Sequence, residues 1–212
     1  MGPRSSVRLF SFLYGDAQQL ARTLHQENLC DALEADMDFY LAQAARQRLF
    51  VHAGVVAWRG RAIVIPGRSQ SGKTTLVKAF LQAGATYYSD EYAVFDGRGR
   101  VYPFPRPLSI RGDSNQTSRL SAESLGSRTG TEPLPVALIA LTSYKPGAQW
   151  NPKALSPGRG TLGLLANTLS ARKQPQRALA TLGRAARHVP VLAGTRGEAS
   201  ETVACILQVM GD

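Results

Sequence analysis

The chain has 212 residues, of which 43% are hydrophobic, and a formal net charge of +10. This length predicts one compact unit with a small N-terminal addition, large enough to bury an active site without disulfides. Two distant cysteines, Cys30 and Cys205, predict reduced thiols, and no Cys/His cluster indicates zinc.

The positive charge is scattered from Arg4 to Arg196, without a dense basic run or interleaved aromatic residues. This distribution does not favour a nucleic-acid partner. No apolar run approaches the ~18 residues of a membrane-spanning helix, and the early apolar stretch is too short for a signal peptide. We therefore expect a cytoplasmic protein that binds neither nucleic acid nor membrane.

The N-terminal region predicts a strand and two helices. Ser6 to Tyr14 alternates weakly, as a strand does. Asp16 to Leu33 predicts a helix capped by its first residue, and Asp36 to Leu49 predicts a second. The expected division is an N-terminal region over 1–48 and a main domain over 49–212.

The middle of the chain predicts two antiparallel strands. Leu49 to Trp58 and Ala62 to Ile65 are apolar, and only Arg59-Gly60-Arg61 separates them. A connection this short joins antiparallel neighbours. The second strand runs into a glycine-rich loop and then a helix over Lys73 to Ala83, so we expect an α/β fold with a phosphate-binding loop on a mixed sheet.

The remaining elements follow in chain order. The patterns predict strands at Thr86–Ser89, Tyr92–Phe95 and Arg100–Phe104, a mobile loop over Arg111–Pro135, a strand at Val136–Leu141, a loop over Tyr144–Arg159, helices at Thr161–Ala171 and Pro175–His188, a strand at Val189–Leu192 and a helix at Glu198–Met210.

The loop reads GRSQSGKTT. Glycines allow such a backbone to turn tightly and point its N–H groups inward, and a lysine after the second glycine reaches the β- and γ-phosphates. The next hydroxyl can bind Mg²⁺, and the helix N-terminus favours an anion. The expected nucleotide contacts are Gly67, Arg68, Ser69, Gln70, Ser71, Gly72, Lys73, Thr74 and Thr75.

Three further residues are candidates for chemistry. Asp90 and Glu91 end the strand that follows the loop helix, so either could be the base and Asp90 a second metal ligand beside Thr74. His52 lies in the strand expected to pair with the strand before the loop, where it could assist a carboxylate. The alternatives are a solvated acidic turn and an ordinary packed histidine.

The stretch VHAGVVAWRGRAIVIPGRSQSGKTTLVKAFLQAGATYYSDEYAV resembles the catalytic domain of HPr kinase/phosphorylase. The resemblance implies a phosphoenolpyruvate-carboxykinase-like P-loop fold, ATP with Mg²⁺, transfer to a serine hydroxyl and assembly as a homo-oligomer. It carries the catalytic roles onto Lys73, the Asp90-Glu91 pair and an assisting His52, with Glu91 standing where the family has a second aspartate.

The departures from the family pattern concern the acceptor. Gln70 and Thr74-Thr75 differ from the usual loop residues, and the C-terminal signature used for phosphate return is not recognisable, so HPr is not the expected acceptor. Shorter proteins of this kind resemble enzymes of lasso and other ribosomal peptide modification, where a precursor-peptide serine is phosphorylated. Arg106 and Arg111 are then candidates for substrate contacts.

Three functions stay open at this point. The first is a kinase for a serine or threonine of a peptide or protein. The second is a kinase for a small molecule, such as a free amino acid, which predicts a closed pocket. The third is a nucleotide-binding switch that transfers no phosphate.

Overall fold

The computed structural model describes residues 8–68, 71–111 and 117–211. The side chains of Arg111 and Thr117 are outside the described part. The chain divides into two compact units, one ending at Ala45 and the other beginning at Arg46.

The N-terminal unit is a hairpin followed by one helix. Strands β1 (Ser11–Gly15) and β2 (Gln18–Thr23) pair antiparallel, and helix α1 spans Gln26–Ala44. The helix predicted from Asp16 is wrong, because Asp16 has a φ of +51° and begins the turn between the strands. Aspartate tolerates this left-handed conformation better than most residues.

Helix α1 also replaces the break predicted between two helices. The residues from Leu33 to Asp36 contain neither glycine nor proline, so nothing in the backbone interrupts the helix there. The predicted second helix over Asp36–Leu49 therefore belongs to α1 up to Ala44, and Leu49 opens the next strand.

The larger unit contains the other strands and helices. Their bounds are β3 Leu49–Trp58, β4 Arg61–Pro66, α2 Lys73–Gln82, β5 Thr86–Ser89, β6 Tyr92–Phe95, β7 Arg100–Tyr102, β8 Leu108–Arg111, β9 Thr117–Leu120, a 3₁₀ turn at Glu123–Leu125, β10 Leu134–Tyr144, β11 Lys153–Leu155, α3 Pro157–Leu165, α4 Pro175–Ala186, β12 Val191–Arg196 and α5 Ala199–Val209.

The main sheet has eight strands and is mixed, as the sequence predicted. Its order is β11-β12-β10-β4-β3-β6-β7, and β5 pairs with β3. Strand β4 pairs antiparallel with β3 on one side and parallel with β10 on the other, and β10 pairs parallel with β12. The carboxyl ends of β4, β10 and β12 therefore meet at one edge, where α/β sheets bind their ligands.

Two apolar layers cover the faces of this sheet. On one face, Val55 and Val64 belong to the same buried cluster as Leu164 of α3 and Leu182 of α4. On the other face, Ile63 belongs to a cluster that includes residues of α2 and α5. Strand β3 is buried along almost its whole length, as expected for a strand covered on both faces.

Three predictions in the C-terminal half need correction. The segment predicted as a mobile loop, Arg111–Pro135, contains β9 and a 3₁₀ turn, and it begins at the end of β8, which pairs antiparallel with β9. The loop predicted over Tyr144–Arg159 contains β11 and the start of α3. The helix predicted at Thr161–Ala171 begins at Pro157, because Ser156 accepts a hydrogen bond from the N–H of Arg159 and proline suits the first helical turn.

Within the described ranges, no helix is both long enough and apolar enough to cross a membrane.

Candidate active site

The predicted phosphate loop connects β4 to α2. Strand β4 ends at Pro66, helix α2 begins at Lys73, and Gly72 precedes it with a φ of +82°. No side chain of the described residues caps this helix end. Its first backbone N–H groups therefore keep their hydrogen-bonding capacity for a ligand.

Two glycines allow close contacts around the loop. Gly67 donates its N–H to the carbonyl of His52, and a Cβ at Gly67 would lie 2.6 Å from Oγ of Ser71. A Cβ at Gly54 in β3 would lie 2.7 Å from Cγ2 of Val77 in α2. Gly54 therefore allows α2 to pack closely on β3, which fixes where this helix begins relative to the strand.

Lys73 is only 6% exposed and points back into the loop. Its Nζ donates to the carbonyl of Arg68 at 2.8 Å. Burial lowers the pKa of Lys73, and the negative charges of Glu91 and Asp90 oppose this shift. A buried ammonium bonded to a backbone carbonyl can release that bond and neutralise a bound anion at small cost.

The acidic pair lies in a break between two strands. Strand β5 pairs with the second half of β3 and β6 with the first half, and Asp90 and Glu91 are the two residues between β5 and β6. The carbonyl of Glu91 accepts the N–H of Ala53. Because β4 pairs along the other edge of β3, this strand holds the carboxylates and the loop near each other.

Asp90 is the buried member of the pair, with 6% exposure. Its Oδ2 accepts a hydrogen bond from Thr74 Oγ1 at 3.2 Å, and its Oδ1 is 3.0 Å from the hydroxyl of Tyr87. The single Tyr87 proton can also be donated to the carbonyl of Arg106, at 2.7 Å. Burial raises the pKa of Asp90, and the Tyr87 and Thr74 hydrogen bonds only partly offset this increase.

Glu91 differs from Asp90 in exposure and in partner. Its side chain is 48% exposed, and its Oε1 lies 3.0 Å from Nε2 of His52. At this distance the two side chains form an ion pair when the imidazole is protonated, although Nε2 makes no hydrogen bond of normal geometry. Burial raises the pKa of Glu91, but the contact with His52 and the charges of His52 and Lys73 outweigh it, so the net pKa is lowered.

The remaining predicted site residues are four residues of the loop and two arginines expected to contact substrate. Arg68 and Thr75 are exposed, whereas Ser69 and Gln70 lie outside the described residues. Arg106 is half-buried, with its guanidinium 5.5 Å from the ring centre of Phe104, and its carbonyl faces Tyr87. Arg111 ends β8, and its side chain is among those not described.

An open cleft of about 660 Å³ borders the loop. Its walls are the loop residues Gly67, Arg68 and Ser71 and the carboxyl ends of β10 and β12, with Asn167 at one side. The carbonyl of Asn167 accepts the N–H of His52 at 2.7 Å, so the cleft also borders the strand that carries His52. Four hydroxyl side chains line it, those of Ser71, Thr142, Ser143 and Thr195.

The sequence did not indicate two residues that the structure brings to the site. Tyr87 lies beside Asp90, and Arg196, at the end of β12, donates from Nη2 to the carbonyl of Gly72 at 2.8 Å. A tyrosine in a short apolar strand has no distinctive signal. Arg196 lies at a junction between strand and helix, on the edge where α/β sheets bind ligands, and that position was the available signal.

The donor set suits Mg²⁺ better than a transition metal. The described part of the chain has no group of three or more His, Cys, Asp and Glu residues that could hold a metal ion. Magnesium needs only one or two carboxylates when phosphate oxygens and water supply the other ligands. The adjacent Thr74 hydroxyl and Asp90 carboxylate fit this requirement.

No family model matches the sequence, and no curated protein matches it. Among solved structures, the chain is similar to the HPr(Ser) kinase/phosphatase from Coxiella burnetii, with 13% sequence identity and a TM-score of 0.43. The match covers 76% of this chain and 97% of that chain. The function is therefore inferred from the residues of the site.

Proposed function

We propose that this protein transfers the γ-phosphoryl group of ATP, with Mg²⁺, to a serine or threonine hydroxyl of a peptide or protein. The observation that carries the proposal is the hydrogen bond from Thr74 to Asp90. It joins the residue expected to bind the metal in a phosphate loop to a buried carboxylate that lies 16 residues further along the chain, between β5 and β6. A loop that only held an anion would not need this carboxylate.

The residues of the site have different roles, which follow from their environments. The loop N–H groups and Lys73 hold the phosphates, and Thr74 and Asp90 would hold Mg²⁺, which neutralises phosphate charge when bound. Asp90 is buried beside Thr74, whereas Glu91 is half-exposed and has a lowered pKa. We therefore assign the base to Glu91, which is ionised at neutral pH and reachable by an acceptor hydroxyl.

Phosphoryl transfer replaces one bond at the γ-phosphorus with another. The acceptor oxygen forms a bond to the γ-phosphorus while the bond between that phosphorus and the bridging oxygen of ADP breaks. Glu91 takes the hydroxyl proton, and His52 stabilises the orientation of the Glu91 carboxylate. Such a general base contributes roughly 10²–10⁴-fold to the rate, and the rest comes from holding the two reactants in line.

The open cleft favours a large acceptor over a small one. A kinase for a free amino acid would be expected to enclose its substrate, whereas the cleft beside the loop is open to solvent. A precursor peptide with an acceptor serine, as the sequence resemblance implies, is the acceptor class that we propose. The surface around the cleft includes the exposed Arg68.

The test is intact-mass spectrometry of acceptors incubated with the protein and Mg²⁺-ATP. The acceptors are serine-containing peptides encoded beside its gene, HPr and free serine. We expect one phosphate on a peptide, no product with Lys73→Met, and product with Lys78→Met, which replaces another lysine of α2. Phosphoserine from free serine would favour the small-molecule kinase, and nucleotide binding without any phosphorylated acceptor would favour the switch.

A further inference from the structure

Arg196 is the largest of the fully buried side chains in the described ranges, with 2% exposure. It ends β12, the strand that lines the cleft. Its Nη2 donates to the carbonyl of Gly72 at 2.8 Å, and its Nη1 donates to the carbonyl of Gly197 at 3.1 Å. Its guanidinium carbon lies 5.3 Å from the ring centre of Tyr144, within range of a cation–π contact.

Arg196 forms no ion pair with a described carboxylate, although the charge of Glu198 opposes the lowering of the Arg196 pKa that burial causes. Its Nε is buried without a hydrogen-bond partner in the described part of the protein. A buried guanidinium stays charged and is costly unless an anion compensates it. The adjacent N-terminus of α2, with its unsatisfied N–H groups, is where a bound anion would do so.

The contact with Gly72 also sets the direction of a peptide group. The Gly72 carbonyl accepts both the Arg196 guanidinium and the N–H of Leu76 in the first turn of α2. In a trans peptide the C=O and the following N–H point in opposite directions. With this carbonyl fixed toward the helix, the N–H of Lys73 points out of its N-terminus, where a phosphate would lie.

We propose that Arg196 is a positioning residue for phosphate binding, which orients the Gly72–Lys73 peptide group and adds positive charge behind the loop. The ligand class is the polyphosphate chain of a nucleotide. The inference rests on the proposed function only in taking phosphate as the ligand of the loop. It does not depend on whether transfer follows or on which acceptor is used.

The experiment compares Arg196→Met with Arg98→Met. The first change removes the guanidinium while keeping an unbranched side chain, and the second removes an exposed arginine in the turn between β6 and β7. Affinity for inorganic pyrophosphate and for Mg²⁺-ATP is measured by calorimetry. Hydrogen exchange of the amides from Gly72 to Leu76 is measured without ligand.

We expect Arg196→Met to weaken pyrophosphate binding about tenfold or more, as the loss of a charge-assisted contact does. Exchange of the Gly72–Leu76 amides should become faster, and Arg98→Met should behave as wild type in both measurements. Arg196→Lys keeps the charge but cannot form two parallel hydrogen bonds, so its affinity for pyrophosphate should lie between that of Arg196→Met and that of the wild type. It also replaces Arg196→Met if that variant fails to fold.

Wild-type affinity and unchanged exchange in a folded Arg196→Met or Arg196→Lys variant would overturn the inference. A wild-type protein that binds pyrophosphate but phosphorylates no acceptor would refute the proposed function and leave the role of Arg196 intact. If wild type bound neither pyrophosphate nor ATP, both proposals would be wrong.

Discussion

Thr74 and Asp90 are 16 residues apart in sequence, yet the Thr74 hydroxyl donates to the Asp90 carboxylate at 3.2 Å. The contact forms because β5 returns from α2 to the edge of β3, while β4 occupies the opposite edge of the same strand. Strand β3 thus has two neighbours that bring the site together. On one edge lies β4, which leads into the loop expected to bind phosphate, and on the other lies β5, which leads to the carboxylate expected to bind metal.

Replacing Asp90 with asparagine should stabilise the fold while reducing activity. Burial raises the pKa of Asp90 above its ordinary value of 3.8, so the folded state holds this proton more tightly than the unfolded chain does. Ionisation therefore costs stability, a cost that is absent below 3.8 and grows as the pH rises through the raised pKa. Chemical unfolding at neutral pH should show that Asp90→Asn is the more stable protein.

The gain from Asp90→Asn should shrink as the pH is lowered toward 3.8, where the wild-type carboxyl becomes neutral too. Glu201→Gln, which neutralises an exposed carboxylate in α5, is the control and should bring no such gain. A variant less stable than wild type at neutral pH would show that the hydrogen bonds of the carboxylate outweigh its burial.

Replacing Tyr87 with phenylalanine should weaken magnesium use. The Tyr87 hydroxyl is within hydrogen-bond distance of Asp90 Oδ1, and this bond lowers the Asp90 pKa. Its loss leaves the carboxylate less fixed and harder to ionise, so the Mg²⁺ concentration for half-maximal activity should rise about tenfold. Tyr88→Phe is the matched control, because that hydroxyl donates to the backbone carbonyl of Glu132 instead. Equal Mg²⁺ dependence of the two variants would contradict a positioning role.

Replacing His52 with asparagine should shift the pH dependence of turnover. The contact with His52 and its charge help to lower the Glu91 pKa below its ordinary value of 4.5. Without the imidazole this pKa rises, so Glu91 becomes protonated at a higher pH. The acidic limb of the kcat/KM profile should then move upward in pH.

The control for His52→Asn is His188→Asn, which changes an exposed histidine after α4. It should leave the profile of kcat/KM against pH unchanged. A His52→Asn variant with reduced activity but an unshifted acidic limb would mean that His52 supports Glu91 by packing alone, and the base would have to be sought elsewhere.

Replacing Gly72 with alanine should be more harmful than replacing Gly84. Both glycines have a left-handed φ, +82° and +93°, so each alanine costs roughly 1–2 kcal/mol of strain. A Cβ at Gly72 would also collide with the Arg196 guanidinium, whereas a Cβ at Gly84 meets nothing within 4 Å. Urea unfolding should therefore show the larger loss of stability for Gly72→Ala.

The collision can be isolated with a double variant. Adding Arg196→Met to Gly72→Ala should recover part of the lost stability, because the shorter, flexible side chain can move away from the new methyl group. Strictly additive effects of the two changes would indicate that the Gly72 backbone and Arg196 do not interact.

The sequence determined those features that depend on neighbours along the chain. The apolar run of β3, the short turn after it and the glycine-rich stretch before Lys73 predicted a hairpin leading into a loop and a helix, and the structure has these elements at Leu49–Trp58, Arg61–Pro66 and Lys73–Gln82. The failure at Asp16 was local as well, since an aspartate that can cap a helix can also take the left-handed position of a turn.

Only the tertiary structure decided the separate environments of the two carboxylates. Asp90 and Glu91 are adjacent in sequence, yet Asp90 is buried against Thr74 and Tyr87, whereas Glu91 is half-exposed beside His52. Arg196 reaches Gly72 because β12 pairs parallel with β10, which itself lies next to β4. Contacts of this kind depend on strand order, and strand order depends on how distant apolar faces are buried together, which the local pattern of residues does not specify.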